Sequence, residues 1–395
     1  MPSPVSKTAI VVGAGIVGAA TAWFLARRGV TVRLIEASAP AAEATGAADG
    51  AVSVASKRPG PMMTAALAGI ALYRELARAG LFDGVFKTRS TFIVAASEEE
   101  CSVLETHAGA LAAAGVRVER LDGAALAKAL PVLSPKARLA IEVHDEGHAI
   151  GYQIVHRLLT AAGVVVERRT PVTRLLPADG GKSLRGVDTP HGPMEADVVV
   201  VTAGTGSAAL LGLEGVLVPR KGQLLVTERA PRLNAGLSGS IMSGRYLLSK
   251  GSQKDGQTSE KTKTARGLGL VIDPLRTGQF LIGGTREDHG DRRVNDIDAV
   301  SRILADAVAL VPGLADVRLL RAFAGSRTAV VDGLPLIGRI PPFDNAYVAT
   351  GFEGDGICLG PVTGKALAEF ICGETPCLDL AQFDPARFVR REVAA

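Results

Sequence analysis

The sequence predicts an α/β protein in which a Rossmann-like nucleotide-binding domain is interleaved with a second domain built on a mostly antiparallel β-sheet. A glycine-rich strand–helix–strand unit at 8–36 is typical of nucleotide-binding domains. The valine-rich run 197–202 is typical of a buried parallel strand. The residue patterns of 81–150 and 216–336 instead indicate a separate, β-rich domain. With 395 residues, 47% of them hydrophobic, the chain is long enough for about two domains.

The first element is a strand at 8–12, which runs directly into the motif Gly13-Ala14-Gly15-Ile16-Val17-Gly18. The helix that follows ends at Arg27-Arg28-Gly29, where cations and a glycine are typical of a helix C-terminus. Because a strand precedes the motif and a helix follows it, we interpret it as a nucleotide site rather than as a chance glycine-rich turn.

Each glycine of this motif has its own expected role. Gly13 allows the tight turn, Gly15 lets the backbone approach a pyrophosphate, and Gly18 lets the helix pack on the strand. The second strand, 30–36, ends at Glu36. The Glu36 carboxylate would accept hydrogen bonds from ribose hydroxyls and would repel the extra phosphate of NADP, so the residues alone leave NAD and FAD open.

The periodicity of apolar residues assigns the remaining elements to the two domains. The small-residue stretch 37–50 suits backbone that passes close to a ligand. We expect the nucleotide-binding domain at 1–80, 151–215 and 337–395, and the second domain at 81–150 and 216–336. The predicted helices are 62–79, 98–114, 154–162 and 362–371, and the predicted strands are 92–94, 115–121, 164–167, 197–202, 221–227, 279–285 and 346–350.

Composition excludes several kinds of partner. A net charge of +4 and 4% aromatic residues give no indication of nucleic-acid binding. No segment reaches the ~18 consecutive apolar residues of a transmembrane helix. The first apolar run is the nucleotide-binding strand rather than a signal peptide, so we expect a cytoplasmic protein. The lysine-rich segment 250–266 is expected to be an exposed loop. The cysteines have no metal-binding spacing, which predicts free thiols and no metal site: Cys101, Cys358, Cys372 and Cys377.

Several motifs, in their order along the chain, resemble the FAD-dependent family of D-amino-acid oxidase, glycine oxidase and sarcosine oxidase. They are the N-terminal unit with Glu36, the strand and Ala-Gly turn 198–207, and the segments 219–223, 281–285, 324–327, 332–338 and 350–357. The segments 56–61 and 270–272 are most similar to a bacterial subgroup that contains flavin subunits of opine oxidases, D-hydroxyproline dehydrogenase and hydrogen cyanide synthase. The resemblance covers nearly the whole chain and rests on the set of motifs, because each motif alone is weak.

The resemblance implies FAD as the cofactor, with the N-terminal unit holding its ADP half. Relatives that bind flavin covalently carry a cysteine just before the Arg327 region, and Ala324-Gly325-Ser326 has none, so the implied FAD is non-covalent. The last helix follows the turn 351–356, and its N-terminal dipole would stabilise negative charge on the reduced flavin. The implied cofactor-binding residues are Gly13, Gly15, Ile16, Val17, Gly18, Glu36, Ala37, Val172, Ala203, Gly204, Gly325, Gly351, Gly354, Asp355, Gly356 and Ile357.

The resemblance also implies the chemistry: hydride passes from the substrate Cα to flavin N5, and the resulting imine is hydrolysed. Arg327 matches the family position that binds the substrate carboxylate through two parallel hydrogen bonds. The other candidate catalytic residues are Tyr246, on a predicted strand, and Glu353, which stands in the glycine-rich turn where relatives have a histidine. His148 and Tyr152, expected in a loop, are assigned structural roles.

The sequence therefore predicts an FAD-dependent dehydrogenase or oxidase that acts on the C–N bond of an amino acid, an imino acid such as D-proline or D-hydroxyproline, or an opine. The expected partners are this small substrate and the electron-transfer subunits of a hetero-oligomer, because similar subunits work in such complexes. Two alternatives stay open. One is an NAD-dependent dehydrogenase, which would not need the late glycine-rich turn, and the other is a non-catalytic subunit that carries FAD.

Overall fold

The computed structural model describes residues 7–252 and 267–389. Its strands form three sheets, and the predicted α/β fold class is confirmed. In chain order the elements are β1 (Thr8–Val12), α1 (Ile16–Ala26), β2 (Thr31–Ile35), β3 (Ala51–Val52), α2 (Pro61–Arg78), β4 (Phe86–Ala95), α3 (Glu98–Ala113), β5 (Val118–Asp122), α4 (Gly123–Ala129), β6 (Leu139–Ala149), α5 (Gly151–Ala162), β7 (Val166–Glu167), β8 (Arg174–Pro177), β9 (Leu184–Thr189), β10 (Gly192–Glu195), β11 (Val198–Val201), α6 (Ser207–Leu211), β12 (Leu217–Thr227), α7 (Pro231–Ala235), β13 (Ser240–Ser243), α8 (Arg245–Ser252), β14 (Gly267–Pro274), β15 (Phe280–Arg286), α9 (Ile297–Leu310), β16 (Leu319–Val330), β17 (Leu336–Arg339), β18 (Ala346–Thr350), α10 (Gly356–Ile371) and α11 (Ala386–Val389).

The first sheet has the strand order β17-β18-β11-β1-β2-β7, and its strands run parallel except β17. Side chains of β1 alternate between the two faces. Val11 packs in the same core as helices α1 and α10, while Ile10 packs with Leu184 and Val187 of the three-stranded sheet β10-β9-β8. Both faces are therefore covered, and the carboxyl ends of β1, β2 and β11 meet at one edge, where ligands bind in such sheets.

Helix α1 is buried along almost its whole length, where it packs against α5 and α10. Gly364 of α10 allows the closest approach. A Cβ built at Gly364 would lie 2.6 Å both from the Cβ of Ala20 and from the backbone nitrogen of Thr21. This contact positions the N-terminus of α1 at the carboxyl edge of the parallel sheet.

The second large sheet has the order β16-β12-β15-β14-β13-β4-β6-β3, with β5 paired to β6. The pairs are antiparallel except β13 with β4. One face packs against α9 through Leu225, Ile282 and Ile303, and the other face is turned towards the parallel sheet. Strand β3 shows that segment 1–80 contributes a short strand to this sheet, while the proposed domain boundaries remain a prediction.

Many predicted elements lie at or within a few residues of their expected positions, but the strand predicted around Tyr246 is wrong. Residues Arg245–Ser252 form helix α8 instead. Short apolar runs such as Tyr246-Leu247-Leu248 do not distinguish a strand from a helix by periodicity. Here the carbonyl of Gly244 accepts the N–H groups of Leu247 and Leu248, which begins a helical turn.

The last predicted helix is too short, because α10 begins at Gly356 rather than at residue 362. Pro361 is typical of a first helical turn, yet it lies inside α10. A proline cannot donate to the carbonyl four residues earlier, which belongs to Ile357. The hydroxyl of Tyr73 donates to that carbonyl at 2.8 Å, so the helix continues without an unsatisfied acceptor.

The loop predicted around His148 and Tyr152 is also wrong. His148 lies near the end of β6, and Tyr152 lies in the first turn of α5. The Nε2 atom of His148 contacts the carbonyl oxygen of Asp49 at 2.9 Å. Strand β6 was missed because polar residues such as Glu142 and Glu146 interrupt its apolar pattern.

Two further expectations concern the whole chain. The four cysteines are free thiols, as predicted. Among the described residues, no helix combines the length and the apolar character that crossing a membrane requires. The expected exposed loop at 250–266 lies almost entirely outside the described residues.

The contact between α10 and α1 predicts opposite effects of one substitution at two helical glycines. Gly364→Ala should lower the free energy of unfolding by about 1–3 kcal/mol, because the added methyl group has no space against Ala20 and Thr21. Gly109→Ala in the exposed face of α3, where a Cβ meets nothing within 4 Å, should raise it by about 0.5–1 kcal/mol. Urea unfolding of both variants measures the difference, and stabilisation by both would contradict this packing.

Candidate active site

A cavity lies between the edge of the parallel sheet and the face of the second sheet that is turned towards it. One wall consists of the N-terminus of α1, the segment 44–57 and the start of α10. The other wall is formed by residues of β12 to β16. Side chains and backbone from both parts of the fold therefore meet at this one place.

The glycine-rich loop lies at the nucleotide end of the site, beside Glu36. One oxygen of the Glu36 carboxylate accepts the N–H of Ala14 at 2.8 Å, and the other accepts the N–H of Ser38 at 2.8 Å. These bonds hold the carboxylate next to the turn after β1, where it could also accept ribose hydroxyls. The turn is tight: Gly13 has φ = 102°, and a Cβ at Gly18 would lie 1.9 Å from the carbonyl oxygen of Gly13.

The N-terminus of α1 is suited to an anion. Its first turn carries no acidic residue, and its N-cap, Gly15, has no side chain to accept an N–H. The hydroxyl of Thr45 accepts the N–H of Ile16 at 3.1 Å, and both residues line the cavity. The positive end of the helix dipole at this point fits a pyrophosphate.

A second positive helix end reaches the cavity through Gly356 and Ile357 at the start of α10. Beside it, the buried ammonium of Lys57 forms an ion pair with Asp355. Burial acts to lower the pKa of Lys57, but Asp355 outweighs it and the pKa is raised. Lys57 therefore stays charged next to the helix N-terminus.

Arg327 projects from β16 across the neighbouring strand β12. A Cβ at Gly222 would lie 2.4 Å from the Nη2 of Arg327, so the guanidinium occupies the space that a side chain there would fill. Its Nη1 donates to the carbonyl oxygen of Thr285 on β15 at 3.3 Å. Among residues 7–252 and 267–389, no carboxylate lies within salt-bridge distance of this half-buried guanidinium.

Glu353 lies in the turn before α10 and contacts two arginines of the second sheet. Its Oε1 atom accepts the Nε of Arg286 at 3.0 Å and lies 3.2 Å from the Nη1 of Arg220. Burial acts to raise the pKa of Glu353, but the two guanidinium groups outweigh it and lower the pKa to about 2. Glu353 is thus a paired anion, which argues against its use as a binding group for a basic substrate.

The structure brings together most, but not all, of the candidate site residues. The cavity wall contains Ile16, Tyr246, Gly325, Arg327, Glu353, Gly354, Asp355, Gly356 and Ile357. The nucleotide loop region contains Gly13, Gly15, Val17, Gly18, Glu36 and Ala37, with Ala203 and Gly204 after β11 and Gly351 after β18. Val172 instead packs beside the core between the parallel sheet and β8–β10, away from the cavity wall that the described residues form.

Sequence reasoning missed Thr45, Lys57 and Arg286 as members of this site. Each depends on a partner far away along the chain: Lys57 pairs with a residue 298 positions later, and Arg286 with one 67 positions later. The one available signal was local. Thr45 lies within the small-residue stretch 37–50 that was expected to pass close to a ligand, and Lys57 follows shortly after it.

The glycine-rich loop and an arginine that has no salt bridge within the described residues lie at one site, which suits an enzyme that binds a dinucleotide. The donor set fits such a group, because the two helix N-termini and the Glu36 carboxylate correspond to its phosphate and ribose chemistry. The fold and the site together define a dinucleotide-dependent oxidoreductase.

Comparison with known proteins specifies the class. The chain belongs to the FAD dependent oxidoreductase (DAO) family, whose model matches residues 8–370. It is 28% identical to glycine oxidase of Pseudomonas aeruginosa over 96% of this chain and 99% of that protein. It is 29% identical to hydrogen cyanide synthase subunit HcnC of the same organism, over 80% of this chain and 71% of that protein. The crystal structure of glycine oxidase from Geobacillus kaustophilus matches with a TM-score of 0.81 at 25% identity, covering 96% of this chain and 98% of that one.

The family assignment establishes the cofactor and the general activity. The protein is an FAD-dependent oxidoreductase, and the alternative of an NAD-dependent dehydrogenase is therefore set aside. The glycine-rich loop and Glu36, which alone allowed either dinucleotide, are consistent with the adenosine half of FAD.

The ion pairs of Glu353 predict a pH-dependent contribution to stability. The pKa of Glu353 is lowered from 4.5 to about 2 on folding, so its ionised form stabilises the protein above pH 4.5. This contribution should disappear as the pH falls towards 2. The difference in free energy of unfolding between the wild type and Glu353→Gln should therefore be largest near neutral pH and shrink between pH 4.5 and 3.

Urea unfolding at pH 7 and pH 3.5 measures this difference. The exposed substitution Glu99→Gln is the matched control and should change stability little at either pH. A difference for Glu353→Gln that stays constant over this range would show that its carboxylate is not held ionised by the two arginines.

Proposed function

We propose that this protein oxidises the C–N bond of an amino acid or imino acid whose carboxylate is bound by Arg327. The observation that carries the proposal is the state of this guanidinium. It faces the cavity over Gly222, and within the described ranges no carboxylate of the protein lies within salt-bridge distance of it. A planar guanidinium binds a carboxylate through two parallel hydrogen bonds, which fixes both the position and the orientation of the substrate.

The protein's own residues would orient the substrate, whereas FAD supplies the chemistry by accepting the hydride from the substrate Cα. Arg327 would hold the carboxylate so that the adjacent C–H points to the cofactor. The amine must be neutral when the hydride leaves, and the imine product is hydrolysed by water. This reaction needs no acid–base pair.

The cofactor contacts are part of the same proposal. FAD would be held non-covalently, with its ribose at Glu36, its pyrophosphate at the N-terminus of α1 and its flavin near the start of α10. The positive end of α10 and the Lys57 ammonium would stabilise negative charge on the reduced cofactor. Gly325 supports a non-covalent site, because a Cβ at this position would lie 2.6 Å from the Cβ of Ala47 and leaves no space for a cysteine.

The substrate and partners are proposed from the relatives. Similarity to glycine oxidase supports a small amino acid or imino acid, and the motifs at 56–61 and 270–272 support an opine or a proline derivative. Similarity to a protein named as a subunit of hydrogen cyanide synthase supports assembly with electron-transfer subunits. In such an assembly the reduced cofactor would pass its electrons to another subunit rather than to oxygen.

Substitution of the carboxylate anchor tests the proposal. Arg327→Gln should lower the efficiency of flavin reduction by amino and imino acids by about 100-fold, because it removes a charged, two-bonded contact to the substrate. Anaerobic stopped-flow mixing with glycine, sarcosine, D-proline and an opine, followed by flavin bleaching, measures this loss. The exposed substitution Arg302→Gln in α9 is the matched control.

Retained FAD and an unchanged reduction rate in Arg327→Gln would overturn the anchor. Failure of every amino and imino acid to bleach the wild-type flavin would favour the alternative of a non-catalytic subunit that carries FAD. Reoxidation by oxygen compared with reoxidation by an artificial acceptor would distinguish an oxidase from a dehydrogenase.

A further inference from the structure

A second arginine, Arg286, faces the same cavity as Arg327. It ends strand β15, and its side chain is 21% exposed. The Nη1 of Arg327 donates to the carbonyl of Thr285, the residue directly before Arg286. Arg327 crosses β12 over Gly222 to reach this point, so two arginines from different strands of the same sheet line the cavity.

Arg286 keeps part of its donor capacity. Its Nε and Nη2 atoms both contact the same oxygen of Glu353. For Nη1, the residues that the structure describes provide no hydrogen-bond or ion-pair partner. Glu353 therefore uses only the Nε and Nη2 edge of the Arg286 guanidinium, and a second anion could bind at Nη1.

Glu353 does not depend on Arg286 for a counter-ion. The Nη1 of Arg220 lies 3.2 Å from the same carboxylate oxygen, and the Nε of Arg220 donates to Asp288 at 2.7 Å. If Arg286 turns towards a ligand, Glu353 keeps a cation beside it. Exchange of the Arg286 partner therefore leaves no buried charge unpaired, which is the usual cost of breaking such a pair.

We propose that Arg286 binds a second carboxylate of the substrate, and that the substrates are N-(carboxyalkyl) amino acids. In these compounds one secondary amine links two carbons that each carry a carboxylate. The inference rests on the proposed function, in which Arg327 holds the first carboxylate. Two separate guanidinium groups on one wall then match the two carboxylates on either side of one nitrogen.

The reaction balances with FAD as the oxidant. The C–H bond beside one carboxylate breaks, its electron pair and hydrogen pass to FAD as hydride, and the N–H proton is released as the C=N bond forms. Water then adds to the imine carbon and the C–N bond breaks. The products are a 2-oxo acid and a primary amino acid, so iminodiacetate would give glyoxylate and glycine.

A matched pair of substrates tests the role of Arg286 in the FAD-loaded protein. Iminodiacetate and N-ethylglycine differ only in that a carboxylate replaces a methyl group. The wild type should reduce its flavin with iminodiacetate about 10- to 100-fold more efficiently than with N-ethylglycine. Arg286→Gln should remove this preference, Arg286→Lys should keep part of it, and the remote Arg302→Gln should keep it fully.

A binding measurement separates recognition from turnover. Oxydiacetate and ethoxyacetate have the same shapes as these substrates but an ether oxygen instead of the amine, so neither can form the imine. Titration followed by flavin absorbance should show oxydiacetate binding about 10- to 100-fold more tightly than ethoxyacetate in the wild type but not in Arg286→Gln.

The two proposals fail in different ways. The second carboxylate site is overturned if the wild type does not prefer the dicarboxylate of each pair, or if Arg286→Gln keeps the same preference. In either case Arg327→Gln would still weaken the binding or oxidation of both members of each pair. If Arg327→Gln weakens neither member, the first anchor is wrong and this inference falls with it. Thermal unfolding and FAD content of each variant show whether the substituted protein is folded.

Discussion

Glycines in the wall of the cavity let neighbouring side chains occupy the space that a Cβ would take. At Gly222 a Cβ would collide with the Arg327 guanidinium, and at Gly325 with Ala47. At Gly283 it would lie 1.9 Å from a methyl carbon of Leu224. Interiors of proteins pack as densely as crystals, so a side chain at any of these glycines would displace a neighbour that lines the cavity. The position of the Arg327 guanidinium therefore depends on the absence of a side chain at Gly222.

Charges around the cavity follow a consistent pattern. Glu353 and Asp355 lie just before the start of α10, and each forms an ion pair with a cation from another part of the chain. Asp355 pairs with Lys57, and Glu353 pairs with Arg286. These ion pairs connect the start of α10 to the segment 44–57 and to strand β15. Arg327 also lines the cavity, but among the described residues no carboxylate lies within salt-bridge distance of its guanidinium.

The sequence predicted the elements whose structure is determined by residues that are neighbours along the chain. Strand 8–12, the glycine-rich loop and strand 30–36 form one contiguous unit, and the structure reproduces it almost residue for residue. Arg327 was identified from a motif and lies in the cavity wall, while its role as a substrate anchor stays a prediction. What could not be predicted depends on distant contacts. Pro361 lies inside α10, where it cannot donate to the carbonyl oxygen of Ile357. The hydroxyl of Tyr73, far away along the chain, donates to that oxygen instead.

The central claim is that Arg327 anchors the carboxylate of the substrate. The most direct test is a crystal structure of the FAD-loaded protein with oxydiacetate bound. We predict that two oxygens of one carboxylate lie within hydrogen-bond distance of the Arg327 guanidinium, on the side facing the flavin. A ligand held by other cations such as Lys57, with Arg327 contacting only protein or water, would contradict it.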